Sequence, residues 1–156
     1  PSEAEWEKAA RGTDGGKYPW GNSPEASCDY AVINVGSGGC GLSRTGEVGS
    51  KPLGVSPYGA HDMVGNVSEW TGDWYGSNYY CAGNNATTLE PFAYCESSSP
   101  TSDDVTNNPQ GLPSGSYRVL RGGSFYDSDN RYLRVSDRYD LAPDRRDFQF
   151  GFRCAQ

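Results

Sequence analysis

The first residues repeat their apolar positions with a helical period. In Ser2-Glu3-Ala4-Glu5-Trp6-Glu7-Lys8-Ala9-Ala10-Arg11-Gly12, the side chains of Trp6, Ala9 and Ala10 recur at spacings of three and four and share one face. Ser2 can accept from a free amide of the first turn, Glu5 can reach back to Ser2, and Gly12 suits the positive-φ conformation that ends a helix. The pattern predicts one amphipathic helix, marked at both ends and packed through Trp6. Because the chain starts within a residue of a helix cap, we expect an upstream segment or a partner chain to complete its N-terminal side.

Beyond Gly12 the helical period disappears. Tyr18-Pro19-Trp20-Gly21-Asn22 reads as a turn with two aromatics, Ala31-Val32-Ile33 is a short apolar stretch, and Gly, Ser and Pro dominate residues 34–59. Residues 76–116 form a second irregular region, of a length that is usually functional or disordered. Tyr117-Arg118-Val119-Leu120-Arg121 and Tyr132-Leu133-Arg134-Val135-Ser136 alternate as strands do, and Phe150-Gly151-Phe152-Arg153-Cys154 closes the chain.

Composition narrows the class. The 156 residues are read as a single domain, 1–156; 21 Gly and 10 Pro argue against a helical bundle, and 13% aromatics against a disordered acidic tail. No apolar run approaches the roughly 20 residues of a membrane span, and no basic-plus-apolar leader opens the chain, so any leader is expected to have been removed. The net charge is −7, unevenly placed: residues 1–116 carry five basic and 14 acidic side chains, whereas residues 117–156 carry eight Arg and six Asp. Each Arg of that last piece has an Asp close by in sequence, so the pattern excludes nucleic acid as a partner and predicts an internal Arg/Asp network.

Five cysteines are many for a cytosolic chain of this size, and none sits in a Cys-x-x-Cys pair. We read two local disulfides, Cys28–Cys40 and Cys81–Cys95, each closing a loop too poor in apolar residues to order itself and each worth about 2–3 kcal/mol. Cys154 is left over. This pairing predicts an oxidising location, extracellular, periplasmic or on the cell surface, with Asn85-Ala86-Thr87 as a possible glycan acceptor.

The most informative stretch is Tyr58-Gly59-Ala60-His61-Asp62-Met63-Val64-Gly65-Asn66-Val67-Ser68-Glu69-Trp70-Thr71-Gly72-Asp73-Trp74-Tyr75. Together with Arg118-Val119-Leu120-Arg121-Gly122-Gly123-Ser124-Phe125, Gly151-Phe152-Arg153-Cys154 and the opening helix, it resembles the sulfatase-modifying-factor family, whose best-known member is the formylglycine-generating enzyme. The four motifs occur in the family's order and cover nearly the whole chain. The resemblance implies an α+β, C-type-lectin-like fold: a small twisted antiparallel sheet, helices and long irregular loops. Family members usually have further sequence before this helix.

Resemblance does not carry activity with it. The formylglycine-generating enzyme binds copper through two cysteines shortly after its Arg-Gly-Gly-Ser motif, and the matching positions here are Asp127 and Tyr132. Neither offers a soft thiolate for Cu(I), so no formylglycine-generating activity and no catalytic residue is predicted. Other relatives bind non-haem iron through His and carboxylate, but the one histidine, His61, reads as a surface turn residue. A structural calcium is implied instead, held by Asp62, the carbonyls of Gly65 and Val67, and Glu69, whose hard oxygens suit that ion. The competing reading is that Asp62 caps the turn and Glu69 pairs with an Arg. A second family calcium site is lost, with Val32 and Val48 at its side-chain positions.

The resemblance further implies framework roles. Trp70, Trp74 and Tyr75 read as core, the two tryptophans at helical spacing, and Arg121, Arg134, Arg138 and Arg153 as partners of Asp73, Asp137 or Asp144. The expected working surface lies in residues 125–150: Tyr126, Asp127, Asp129, Asn130, Tyr132, Tyr139, Asp140, Arg146 and Phe148, a mixture of rigid aromatics and short polar groups typical of recognition surfaces. The predicted function is a non-catalytic domain, displayed outside the cell, that binds a protein or glycan ligand. The alternatives are a metal-dependent oxidoreductase of divergent chemistry, a structural subunit of a surface assembly, or a variable protein of a diversity-generating retroelement.

Overall fold

The computed structural model describes residues 1–77, 79–80 and 109–155. Cys81, Cys95 and the Asn85 acceptor lie outside the described residues. Helix α1 spans Glu3–Arg11 and is built as its sequence predicts. Ser2 Oγ accepts from the Glu5 amide at 3.2 Å, Glu5 Oε2 accepts from the Ser2 amide at 2.8 Å, and Gly12, at φ +66°, donates to the Lys8 carbonyl. Trp6 and Ala10 are buried and Ala9 packs beside them.

Four strands follow: β1 (Ser68–Trp74), β2 (Arg118–Arg121), β3 (Tyr139–Leu141) and β4 (Phe150–Gly151), in the sheet order β3-β2-β1-β4. The expected antiparallel sheet is in fact mixed. β2 pairs antiparallel with both β1 and β3, but β4 runs parallel to β1, with Ser68 opposite Phe150 and Glu69 opposite Gly151. The 142–149 connection carries the chain from one sheet edge to the other, and β4 therefore enters beside the start of β1 in the same direction.

Period-two alternation gives this sheet two unlike faces. Glu69, Thr71, Asp73 and Arg121 point toward α1 and are all buried. The helix–sheet seam is accordingly polar: Trp6 Nε1 donates to Glu69 Oε2 at 2.6 Å, and the Glu3 amide donates to Asp73 Oδ2. The apolar core lies elsewhere, where Trp6 and Ala10 meet the loop residues Tyr18, Ala31, Ile33, Met63, Val64, Leu133 and Val135. The opposite sheet face carries Ser68, Trp70, Trp74, Leu120, Tyr139 and Phe150. Trp70 and Trp74 share it because positions four apart coincide in a strand as well as in a helix; the helical reading is corrected, and both rings are half-buried rather than deep core.

Two further expectations are corrected. Residues 132–136 form no strand: Leu133 and Val135 are buried as their alternation predicts, but the backbone turns repeatedly, Tyr132 donating to Asp129 and Asp137 to Arg134. The arginines pair with glutamates from α1 and β1 instead of neighbouring aspartates. Arg121 meets Glu3 and Glu7, Arg138 forks onto Glu3 at 2.6 and 2.8 Å, and Arg153 forks onto Glu69, while Arg134 is exposed. Asp73 caps the first amide of α1, and Asp137 offers Arg121 only its backbone carbonyl. These pairs join segments far apart in sequence, which proximity along the chain does not reveal.

The Cys28–Cys40 disulfide is present, with Cα atoms 5.7 Å apart, and Cys154 is free and exposed. No helix among the described residues is long and apolar enough to cross a membrane.

Candidate ligand-binding cleft

The Gly122-Gly123-Ser124 turn after β2 is held from two sides. The Phe125 amide donates to the Asn66 carbonyl, and the Gly65 amide donates to the Gly122 carbonyl. From the disulfide-closed loop, the amides of Asn34 and Gly39 donate to the carbonyls of Asp127 and Phe125, and Asn34 Nδ2 donates to the Tyr126 carbonyl. Cys28–Cys40 thus stiffens the segment that positions Asp127. Gly123 has φ +65°, and a Cβ there would lie 2.8 Å from the Tyr132 carbonyl oxygen, so the turn requires glycine.

Against this turn opens a cleft of about 230 Å³. Ser68, Leu120 and Phe150 of the sheet face opposite α1 form part of its lining, with Arg121, Asp127, Tyr132, Asp137, Tyr139 and Gln149. Asp127 and Tyr132, which stand where the resemblance places two cysteines, both line it. Asp127 Oδ2 accepts from the amide and hydroxyl of Ser124 at 2.7 and 2.9 Å, and the Ser124 hydroxyl reaches Gln149 Oε1 at 3.3 Å. Tyr132 and Tyr139 are about half exposed, at 49% and 53%. No cysteine or histidine lines the cleft, and the described residues include no cluster of three His, Cys, Asp or Glu able to hold a metal. His61 is exposed, as expected.

The arginine in this wall is already compensated. Arg121 is fully buried, donates to the carbonyls of Val135 and Asp137, and meets the Glu7 and Glu3 carboxylates. The Asp137 carboxylate makes no ion pair among the described residues, although Arg121, Arg134 and the Arg138 amide favour its charged form. Burial raises its pKa above the ordinary aspartate value and nearby Asp127 pushes it the same way, against the pull of Arg121.

A second, wider groove of about 580 Å³ continues from the cleft, sharing Tyr139, Gln149 and Phe150 and adding Arg146. Tyr126 and Phe148, both exposed, stand 5.7 Å apart over Phe125 as an aromatic edge. The structure thus brings Asp127, Tyr132 and Tyr139 into one cleft, Arg146 into the adjoining groove, and Tyr126 and Phe148 onto a separate edge. It leaves Asp129 tied to Arg131 on the surface, with Asn130 and Asp140 outside both recesses. Sequence reasoning missed Ser68, Leu120, Asp137 and Phe150; the period-two reading of the strands held the signal for three of them.

The residues expected to hold calcium flank the Met63–Asn66 turn in sequence, where Asp62, Gly65 and Asn66 all have positive φ. Asp62 Oδ2 accepts from the Gly49 amide at 2.7 Å, and Glu69 carries Arg153 and the Trp6 indole. Arg153 Nη2 also donates to the His61 carbonyl at 3.0 Å. Two carboxylates against one guanidinium leave the turn with a net negative charge, and its donors are all hard oxygens. Asp62 thus caps a turn amide and Glu69 pairs with Arg153, as the competing reading expects, and a calcium held by these oxygens would have to share Glu69 with Arg153.

Comparison with known proteins agrees with this architecture. All of residues 1–156 match the sulfatase-modifying factor enzyme 1-like domain. The formylglycine-generating enzyme of Thermomonospora curvata is 34% identical over 99% of this chain and 48% of its own length. The serine/threonine-protein kinase Pkn1 of Chlamydia trachomatis is 38% identical over the whole chain but only 20% of its own length. Among solved structures, Treponema denticola variable protein 1 superimposes with a TM-score of 0.66 at 32% identity, covering 97% of this chain and 45% of that one. The chain therefore spans about half the length of these relatives, or less. By motif order, fold and sequence, it belongs to the sulfatase-modifying factor enzyme 1-like family and has its α+β fold.

Proposed function

We propose that this chain is a non-catalytic ligand-binding domain, displayed outside the cell, that takes a protein or glycan ligand at the cleft and its adjoining groove. The observation that carries this reading is the chemistry of the cleft: at the two positions where the family's copper-binding enzymes have cysteine, the chain has Asp127 and Tyr132, and both line the recess. A carboxylate and a phenol cannot exchange a disulfide with a substrate thiol, but they hydrogen-bond and stack well. The Cys28–Cys40 bridge supports an oxidising location, and a calcium at Asp62, Gly65, Val67 and Glu69 is proposed as a structural ion.

The test is a binding screen of the folded chain against glycan and peptide arrays, repeated with Tyr132→Ala and Tyr139→Ala. Retention that both variants reduce supports the reading. Retention that neither variant changes, or turnover of a thiol peptide with oxygen uptake, contradicts it. A second reading, a variable recognition protein, is supported by the likeness to Treponema denticola variable protein 1. Sequencing the gene across a population tests it: substitutions concentrated at Tyr126, Asp127, Asp129, Asn130, Tyr132, Tyr139 and Asp140 support it, and an even spread argues against it.

A further inference from the structure

We infer that the cleft takes a cationic side chain of its ligand, the ammonium of a lysine or the guanidinium of an arginine, between the tyrosine rings and the carboxylates of Asp127 and Asp137. This inference rests on the binding reading above and gives it a chemical class.

Size comes first. A volume of about 230 Å³ lies below the ~300–1,000 Å³ of pockets that hold whole small molecules, so it suits one side chain. The wider groove sharing Tyr139, Gln149 and Phe150 is placed to receive the chain that bears it.

Charge comes second. Of the charged groups in the wall, Arg121 is neutralised from behind by Glu7 and Glu3. Asp127 uses Oδ2 for the Ser124 turn, leaving Oδ1. Among the described residues, no Lys or Arg lies within ion-pair distance of Asp127 or Asp137. Both acids line the one cleft, and an entering cation would sit against two carboxylates there. An anionic ligand would be repelled by both.

The aromatic walls agree with this choice. Tyr132 and Tyr139 are half exposed at the cleft, and Phe150 lines it beside them. Ring faces attract ammonium and guanidinium groups, and more strongly where water is partly excluded. Carboxylates combined with aromatic faces select a cation over a neutral amide of similar shape.

The experiment is an NMR titration of the oxidised chain, following the rings of Tyr132 and Tyr139, with acetyl-Gly-Arg-Gly-amide, the corresponding Lys peptide, and neutral Gln and acidic Glu controls. The Arg and Lys peptides are expected to saturate with affinity about tenfold above the Gln peptide, and the Glu peptide to bind weakest. Asp137→Asn and Tyr139→Leu, each shown folded by thermal melting, should bring the Arg peptide down to the Gln level. Asp127→Asn is the weaker test because Asp127 also builds the turn. Equal binding of Arg and Gln peptides at these rings would overturn the cationic class while leaving a binding cleft in place. Preference for the Glu peptide, or no shift from any peptide, would overturn it as well.

Discussion

The guanidinium of Arg153 forks onto the carboxylate of Glu69, Nε to Oε2 and Nη2 to Oε1, each at 2.6 Å. Glu69 Oε2 also accepts the Trp6 indole N–H, so one buried carboxylate ties the end of the chain, the middle of the sheet and helix α1 together. A carboxylate with this many partners has two consequences when it is neutralised.

Glu69→Gln should destabilise the fold by about 3 kcal/mol, because it leaves the half-buried guanidinium without its counter-charge. The same change should abolish the rise in melting temperature on adding calcium that the proposed ion predicts. Calorimetric melting with calcium and with a chelator checks both; a calcium response unchanged in Glu69→Gln would remove the ion from this turn.

Arg121→Met is expected to cost on the order of 3 kcal/mol, since Arg121 satisfies the buried carbonyl of Val135 and compensates Glu7. Adding Glu7→Gln should recover part of that loss. Urea denaturation of the two variants measures it, and strict additivity of the two changes would show that the pair is not coupled.

These polar contacts explain what the sequence disclosed and what it concealed. Helix α1 was legible because its cap, its apolar face and its terminating glycine are all local, and Cys28–Cys40 was legible because both cysteines bracket one loop poor in apolar residues. The partners of Arg121, Arg138 and Arg153 were not, because Glu3, Glu7 and Glu69 lie far away along the chain. The cleft was half legible: family motifs led to Asp127 and Tyr132, but Ser68 and Phe150 join them only through the parallel β1–β4 pairing. Residues 132–136 show the opposite failure, since their alternation reports burial of Leu133 and Val135 without any neighbouring strand.

Replacing Cys28 and Cys40 together by serine should cost roughly 2–3 kcal/mol through the freed loop. Because Asn34 and Gly39 within that loop hold the backbone of Phe125 to Asp127, the cleft should loosen as well. Hydrogen exchange at the Phe125 and Asp127 amides, faster in the variant, checks the link; unchanged exchange would separate the disulfide from the cleft.

Asp137→Asn should raise stability at neutral pH. Burial raises the folded-state pKa of Asp137 above its unfolded value, so the ionised carboxylate penalises the fold, and the penalty disappears as pH falls through the raised pKa to the ordinary one. The stability gain of the variant over the parent should therefore be largest at neutral pH and shrink toward acid. Paired denaturation curves across pH 3–7, roughly spanning that window, test the sign; a gain that grew toward acid would contradict it.

The proposed function has the cleft bind a ligand and not carry out metal-dependent oxidation. Elemental analysis of protein purified without chelator or added metal separates the two. About one calcium per chain, with copper and iron far below stoichiometry, is the predicted result. Stoichiometric copper or iron that Asp127→Ala or Tyr132→Ala displaces would contradict it and make the cleft a redox centre.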